Sequence, residues 1–305
     1  MKREGTSMTH GLKALALIAL SALAALGNAA PIVTGDYTVD LYASGIGAAN
    51  EMAIGPDGRV YVADYGGRVL AVNADGTLDV LASGIPNANG LTFTQSGRLF
   101  VDSAYGTVYE ISGGTASAYA TGFANVTSLE GRGEDIFLSE NGSIQRIAAD
   151  GSVSNVLSVG GTAYGLTFDS SGSLNFINHE NGGVYAYDLL TAPIQIGAVT
   201  QYGGTFTGIG FGGQLFFTDV NLGNLYYLDG QGNQQLLASG FVAKAGAPQI
   251  GPQGIAYDGA NTLFVGDGNS IWRITRPTSV PEPNTLALLS LGLAGLALSR
   301  RRRSN

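Results

Sequence analysis

The chain of 305 residues has no cysteine, two histidines, three methionines and one tryptophan. Without cysteine there is no disulfide framework, no thiolate metal site and no thiol nucleophile. Two histidines do not supply a zinc centre, since His10 lies in an apolar leader and His179 stands alone in Asn178-His179-Glu180-Asn181-Gly182. Charge is sparse, at 12% of residues, and one-sided. Residues 31–280 carry 8 Lys and Arg against 21 Asp and Glu, a net of −13. Such a surface repels phosphate backbones and anionic headgroups, so nucleic acid is not an expected partner. No glycine-rich loop opens a helical pattern, which removes nucleotide binding as well.

Glycine, at 47 residues, is what the chain has in excess, and it falls between short alternating β-forming runs. Residues 88–111, ANGLTFTQSGRLFVDSAYGTVYEI, read as three antiparallel strands cut by polar turns. The unit recurs six times, the first apolar residues of its leading strands being Met52, Leu91, Leu129, Leu166, Ile209 and Ile255. A period of about 40 residues with four short strands is the signature of a propeller. The second strand of each repeat is the most apolar, as in Val60-Tyr61-Val62 and Leu215-Phe216-Phe217, and suits a strand covered on both faces. Pro56-Asp57-Gly58 is turn chemistry, with φ preset by Pro and positive φ accepted by Gly. In the third repeat, residues 130–134 read as a degraded turn. The sixth repeat has no fourth strand, whereas residues 37–43 form a strand with no repeat of their own. These residues are expected to pair beside residues 271–275 and close the ring. The expectation is an all-β, six-bladed β-propeller over residues 31–279, with no second domain.

The two ends differ from the repeats. Residues 1–29 read as a signal peptide, with Lys2, Arg3 and Lys13 before an apolar run and Gly27-Asn28-Ala29 for cleavage. Residues 280–305 hold Pro281-Glu282-Pro283, a short apolar stretch, and Arg300-Arg301-Arg302-Arg303. The apolar stretch is marginal for a span, and the arginines hold it on the cytoplasmic side. This tail resembles a PEP-CTERM sorting signal, in which the three parts occur in this order at the extreme C-terminus. The resemblance implies a Gram-negative bacterial protein, exported and transiently inserted in the inner membrane through its C-terminal helix. It further implies an exosortase-type enzyme as processing partner and delivery to the cell surface or an extracellular polysaccharide matrix. A plain C-terminal anchor is the alternative.

Two sets of polar residues converge at one mouth of the expected central channel. At the starts of the leading strands stand Asn50, Glu51, Asn89, Thr127, Tyr164, Thr207 and Gln253; at the ends of the second strands stand Asp64, Ser103, Glu140, Asn178, Asp219 and Asp267. The second set, just before glycine turns, is expected to cap those turns. The first set varies between repeats, as ligand-reading positions do, and Asn50, Glu51, Asn89, Tyr164, Thr207 and Gln253 form the expected ligand face. The repeats resemble NHL-type propellers and, more loosely, gluconolactonase-like propellers. The latter resemblance implies a divalent cation near the axis, with Glu51 and Asn89 matching its ligands in kind and Gln253 standing where that family has Asp. Calcium on Glu51, Asn89 and Gln253 is thus the expected cofactor if there is one. The reading favoured from sequence is a non-enzymatic binding or scaffold protein for polysaccharide or protein. The alternative is a calcium-dependent hydrolase using Asp219 or Asp267 as base.

Overall fold

Alternating side chains between positive-φ glycines produce a chain of short antiparallel strands that returns on itself every four. The computed structural model describes residues 29–199, 204–241 and 252–277. The expected leader up to Asn28, residues 242–251 and the sorting tail lie outside the described residues, as do the side chains of 204–207. The described residues form 23 strands and one 3₁₀ turn, Phe211–Gly213. No helix among them is long and apolar enough to cross a membrane.

Each sheet is a meander. Ala49–Ile54, Val60–Asp64, Arg68–Val72 and Leu78–Ser83 form the first, and Ala88–Phe93, Leu99–Ser103, Thr107–Ser112 and Thr115–Thr121 the second. Gly58, at φ 79°, and Gly97, at φ 85°, close the first turns, a backbone region that L side chains rarely adopt. The repeats pack face to face through apolar layers. Met52, Val62 and Leu70 of the first sheet meet Phe264 and Ile271 of the last. Tyr61 meets Phe93 edge-on at 4.8 Å between the first two sheets. Tyr61 and Phe93 are therefore packing between sheets, each burying enough area to contribute roughly 2–3 kcal/mol.

The ring closes at the pairing expected from the sequence. Thr38–Ser44 pairs antiparallel with Ser270–Thr275, Thr38 opposite Thr275 and Ser44 opposite Ser270. An additional short strand, Ile32–Val33, adds to the outer strand Gln234–Ser239 of the preceding sheet. The chain start thus clasps two neighbouring sheets.

The expectation of six separate blades needs correcting: hydrogen bonding connects the strands into five sheets. The third and fourth repeats share one six-stranded sheet, because Val153–Phe168 runs without a break from one into the other. Its first half pairs with Asp135–Ile147 and its second half with Leu174–Asn178. Gly160-Gly161-Thr162 stands at the crossover and continues the strand instead of looping out. A second correction concerns residues 130–134. Glu130 to Arg132 belong to the strand Ser128–Arg132, paired in register with Asp135–Ser139, so the turn is only Gly133-Glu134.

Candidate functional site at the propeller axis

Aligned from Asn50, the innermost strands read NEMAI, NGLTF, TSLEG, YGLTF, TGIG and QGIAY. The second position is glycine in four repeats, Glu51 in the first and Ser128 in the third. Glycine is required there by close approach. A Cβ on Gly254 would lie 2.0 Å from the Asn50 carbonyl oxygen. One on Gly90 would lie 2.4 Å from Asp102 Oδ1, 2.6 Å from the Leu129 nitrogen and 2.8 Å from Glu51 Oε2. The room left by glycine is what lets the Glu51 side chain reach across the axis.

Glu51 ties three repeats together. Its Oε2 accepts the backbone N–H groups of Leu91 at 3.0 Å and Leu129 at 3.2 Å, and its Oε1 accepts the Ser128 hydroxyl at 2.7 Å. Ser128 Oγ in turn accepts the N–H of Leu166 in the fourth repeat at 3.0 Å. One layer above, Asn50 Nδ2 donates to Asn89 Oδ1 at 2.6 Å, and Asn89 Nδ2 donates to the Val126 carbonyl at 3.0 Å. Thr127 continues the relay by donating to the Ala163 carbonyl at 2.7 Å. Deeper in, Thr92 Oγ1 accepts the N–H of Gly131 at 2.8 Å and Glu130 accepts that of Phe168 at 3.1 Å. Each layer passes from one repeat to the next within the first four repeats.

Below these layers is a cavity of about 290 Å³, walled by residues from the leading strands of all six repeats and reached by Glu51 and Glu130. Burial raises the Glu51 carboxyl to about 7, opposed by its bonds to Ser128, Leu129 and Leu91. Glu130 rises to about 8, also through burial, with Glu51 adding repulsion. Asp102, fully buried, is pushed well above the ordinary carboxylate range by desolvation and then by the Glu51 charge. No ion pair among the described residues compensates any of the three. Asp102 and Glu130 were not singled out as site residues from the sequence. The signal for them was the run of glycines at one register position, which marks where side chains from neighbouring strands must converge.

The expected ligand face is only partly assembled. Asn50, Glu51, Asn89 and Thr127 are buried and engaged with one another's repeats. Tyr164 is half-buried, its ring 5.0 Å from that of His179 and tilted to it by 48°. Gln253 is half-buried, its N–H donating to the Gly266 carbonyl at 2.9 Å. Thr207 pairs with Phe217 through its backbone, and its side chain lies outside the described residues. The turn-capping expectation for the second set holds at Asp64 and Asp219. Asp64 Oδ1 accepts the N–H groups of Ala48 and Gly66, both at 3.0 Å, and Asp219 Oδ1 accepts those of Asn221 and Leu222, both at 3.0 Å. Asp267 is buried and accepts the Trp272 indole N–H at 3.2 Å.

Calcium requires roughly six to eight oxygens turned toward one point. Both Glu51 oxygens and the single Asn89 side-chain oxygen already accept hydrogen bonds from other repeats. Buried oxygens without a partner occur on Asn50 and Asp102, outside the set of Glu51, Asn89 and Gln253. That set does not fit the ion. Among the described residues, no group of three or more His, Asp or Glu is arranged to hold a metal.

Comparison with known proteins separates the tail from the propeller. Residues 279–303 match the model of the PEP-CTERM protein-sorting motif. The chain carries a PEP-CTERM sorting motif. The motif implies export, sorting to the cell envelope and an exosortase-type processing partner. No curated protein matches the chain. Among solved structures, a gluconolactonase from Xanthomonas campestris is similar at 18% identity and TM-score 0.67, covering 82% of this chain and 95% of its own. Virginiamycin B lyase from Staphylococcus aureus aligns at 14% identity and TM-score 0.58, over 79% of this chain and 100% of its own. An auxiliary nutrient binding protein from Bacteroides thetaiotaomicron aligns at 13% identity and TM-score 0.63, over 79% of this chain and 76% of its own. At these identities the shared property is the propeller fold, and its bearers include both enzymes and a binding protein.

Proposed function

We propose that the protein is an exported, envelope-sorted propeller that acts as a non-enzymatic binding or scaffold protein, its tail processed by an exosortase-type enzyme and its body exposed at the cell surface or in the extracellular matrix. We further read the shared six-stranded sheet as two blades, which makes the ring six-bladed in accord with its six repeats. The observation that carries the non-enzymatic reading is the engagement of Glu51. In a hydrolase its carboxylate would hold a cation and polarise water. Here it accepts three hydrogen bonds from neighbouring repeats and stands in for missing strand pairing at the axis. Its neighbour Asn89 is held in the same way. Turn-capping Asp219 and indole-bound Asp267 are poor general bases for the same reason.

The deciding experiment is thermal unfolding of the full chain in mild detergent with millimolar calcium, beside an assay for hydrolysis of aldonolactones. The expected result is no calcium-dependent rise in Tm and no turnover. Calcium-dependent turnover that disappears in Glu51→Gln would establish the hydrolase instead.

A further inference from the structure

A second cavity, of about 650 Å³, lies away from the axis, where the third and fourth repeats share their sheet. Arg132 lines it, at the end of the leading strand Ser128–Arg132. Of the seven described arginines, Arg59, Arg68, Arg98, Arg146 and Arg273 are each ion-paired to a carboxylate. Arg132 has no ion pair among the described residues. Its guanidinium carbon instead sits 4.9 Å from the Phe168 ring centroid. Phe168 is braced edge-on by Phe137 at 5.0 Å, and Phe137 is itself in the cavity wall. Room for the guanidinium depends on Gly172, where a Cβ would come within 2.8 Å of Arg132 Nη2.

A guanidinium lying over a ring with no carboxylate partner still has its fork of donors to be matched, an arrangement suited to a carboxylate. Arg146, in the same wall, is joined to Asp135 at 2.6 Å, so the cavity carries one net positive charge. This stands out on a propeller of net charge −13. The remaining wall is mixed. Tyr187 offers a ring, and its hydroxyl donates to the Val156 carbonyl at 3.3 Å, leaving the oxygen as an acceptor. The Asn155 amide makes only long contacts, with Gln145 at 3.5 Å and Ser158 at 3.4 Å. A bare phosphate or sulfate would use the arginine alone. The volume, ring faces and amide match a larger ligand bearing both hydroxyls and a carboxylate.

We propose that this cavity binds an acidic sugar unit within a saccharide chain, Arg132 gripping the uronate carboxylate in a two-pronged hydrogen bond, Asn155 meeting ring hydroxyls and the Phe137–Tyr187 wall packing against the sugar. The site is separate from the axis and does not depend on whether the axis is catalytic.

The test is titration calorimetry of the full chain in mild detergent with tetragalacturonate, its methyl-esterified form and inorganic phosphate. Tetragalacturonate is expected to bind, and esterification to weaken it at least ~10-fold by removing the charged acceptor. Arg132→Gln should weaken it by a similar factor with Tm unchanged, since the side chain is exposed. Asn155→Ala should weaken it by a smaller factor, and Tyr105→Ala, at an exposed residue of the second repeat outside the cavity wall, should leave it unchanged. The proposal is overturned by absence of binding, by equal binding of the esterified form, by unaltered affinity in Arg132→Gln, or by phosphate competing as strongly as the uronate. Should Arg132→Gln not fold, the comparison of acid with ester decides alone.

Discussion

Glu51 does with a side chain what most propeller strands do with backbone. The inner edge of each sheet presents N–H groups with no strand beside them, and one carboxylate satisfies two of these, Leu91 and Leu129, from across the axis. Truncation by Glu51→Ala should leave both donors buried and cost about 3 kcal/mol or more, read as a lowered midpoint in denaturant. The same residue gives the molecule a pH dependence. Its carboxyl rises from an ordinary 4.5 to about 7 in the folded state. The folded chain therefore holds a proton that the unfolded chain releases. The associated stability is complete below the ordinary value and is lost as pH rises through about 7, by an amount on the order of 3 kcal/mol. Asp102 and Glu130 shift in the same direction. Tm should accordingly fall between pH 5 and pH 8, and Glu51→Gln should make that fall shallower; an unchanged slope would show that Glu51 is not the group titrating. The sequence marked Glu51 as exceptional among leading-strand positions, but suggested a ligand face. What decides its role is which way the side chain points across the axis, and that depends on the room left at Gly90, where a Cβ would lie 2.8 Å from Glu51 Oε2.

At the scale of the strand, glycine at the second inner position is the element that makes the axis narrow. Gly254→Ala would push a methyl into the Asn50 carbonyl, an atom of main chain that cannot swing aside. A loss of about 1–3 kcal/mol is expected, and denaturant titration against Gly259→Ala serves as control. Gly259 has open space at its Cβ, although its φ of 78° carries its own strain. Strand identity was legible throughout, since apolar alternation and turn residues are local signals. Sheet identity was less so. Gly160-Gly161-Thr162 reads as a loop by composition, yet an extended glycine run can also carry a strand onward, and nothing local distinguishes the two. The same holds for Glu130-Gly131-Arg132, whose polar letters read as a turn while its hydrogen bonds are a ladder. Ile32–Val33 is too short for any pattern to reveal its partner.

For the molecule as a whole, the ring is closed by residues more than 220 positions apart, with Thr38 opposite Thr275. The closing contact is a full ladder and not a salt bridge: the Asp40–Arg273 pair at 2.7 Å is nearly half exposed and contributes little. Deletion of residues 36–43 should leave the last sheet with an open edge and replace one cooperative unfolding transition by a broad or multiple one, as followed by calorimetry. A single transition at unchanged Tm would mean that the ring holds without its clasp. The same ladder governs how the molecule bears force. Ser270–Thr275, the last strand before the tail, lies between Thr262–Asp267 and Thr38–Ser44, both antiparallel to it. A pull transmitted through residue 277 therefore runs along the strand and loads two ladders at once in shear, instead of peeling an edge strand one bond at a time. Tethered through that end, the propeller would bear drag through a strand bonded on both sides.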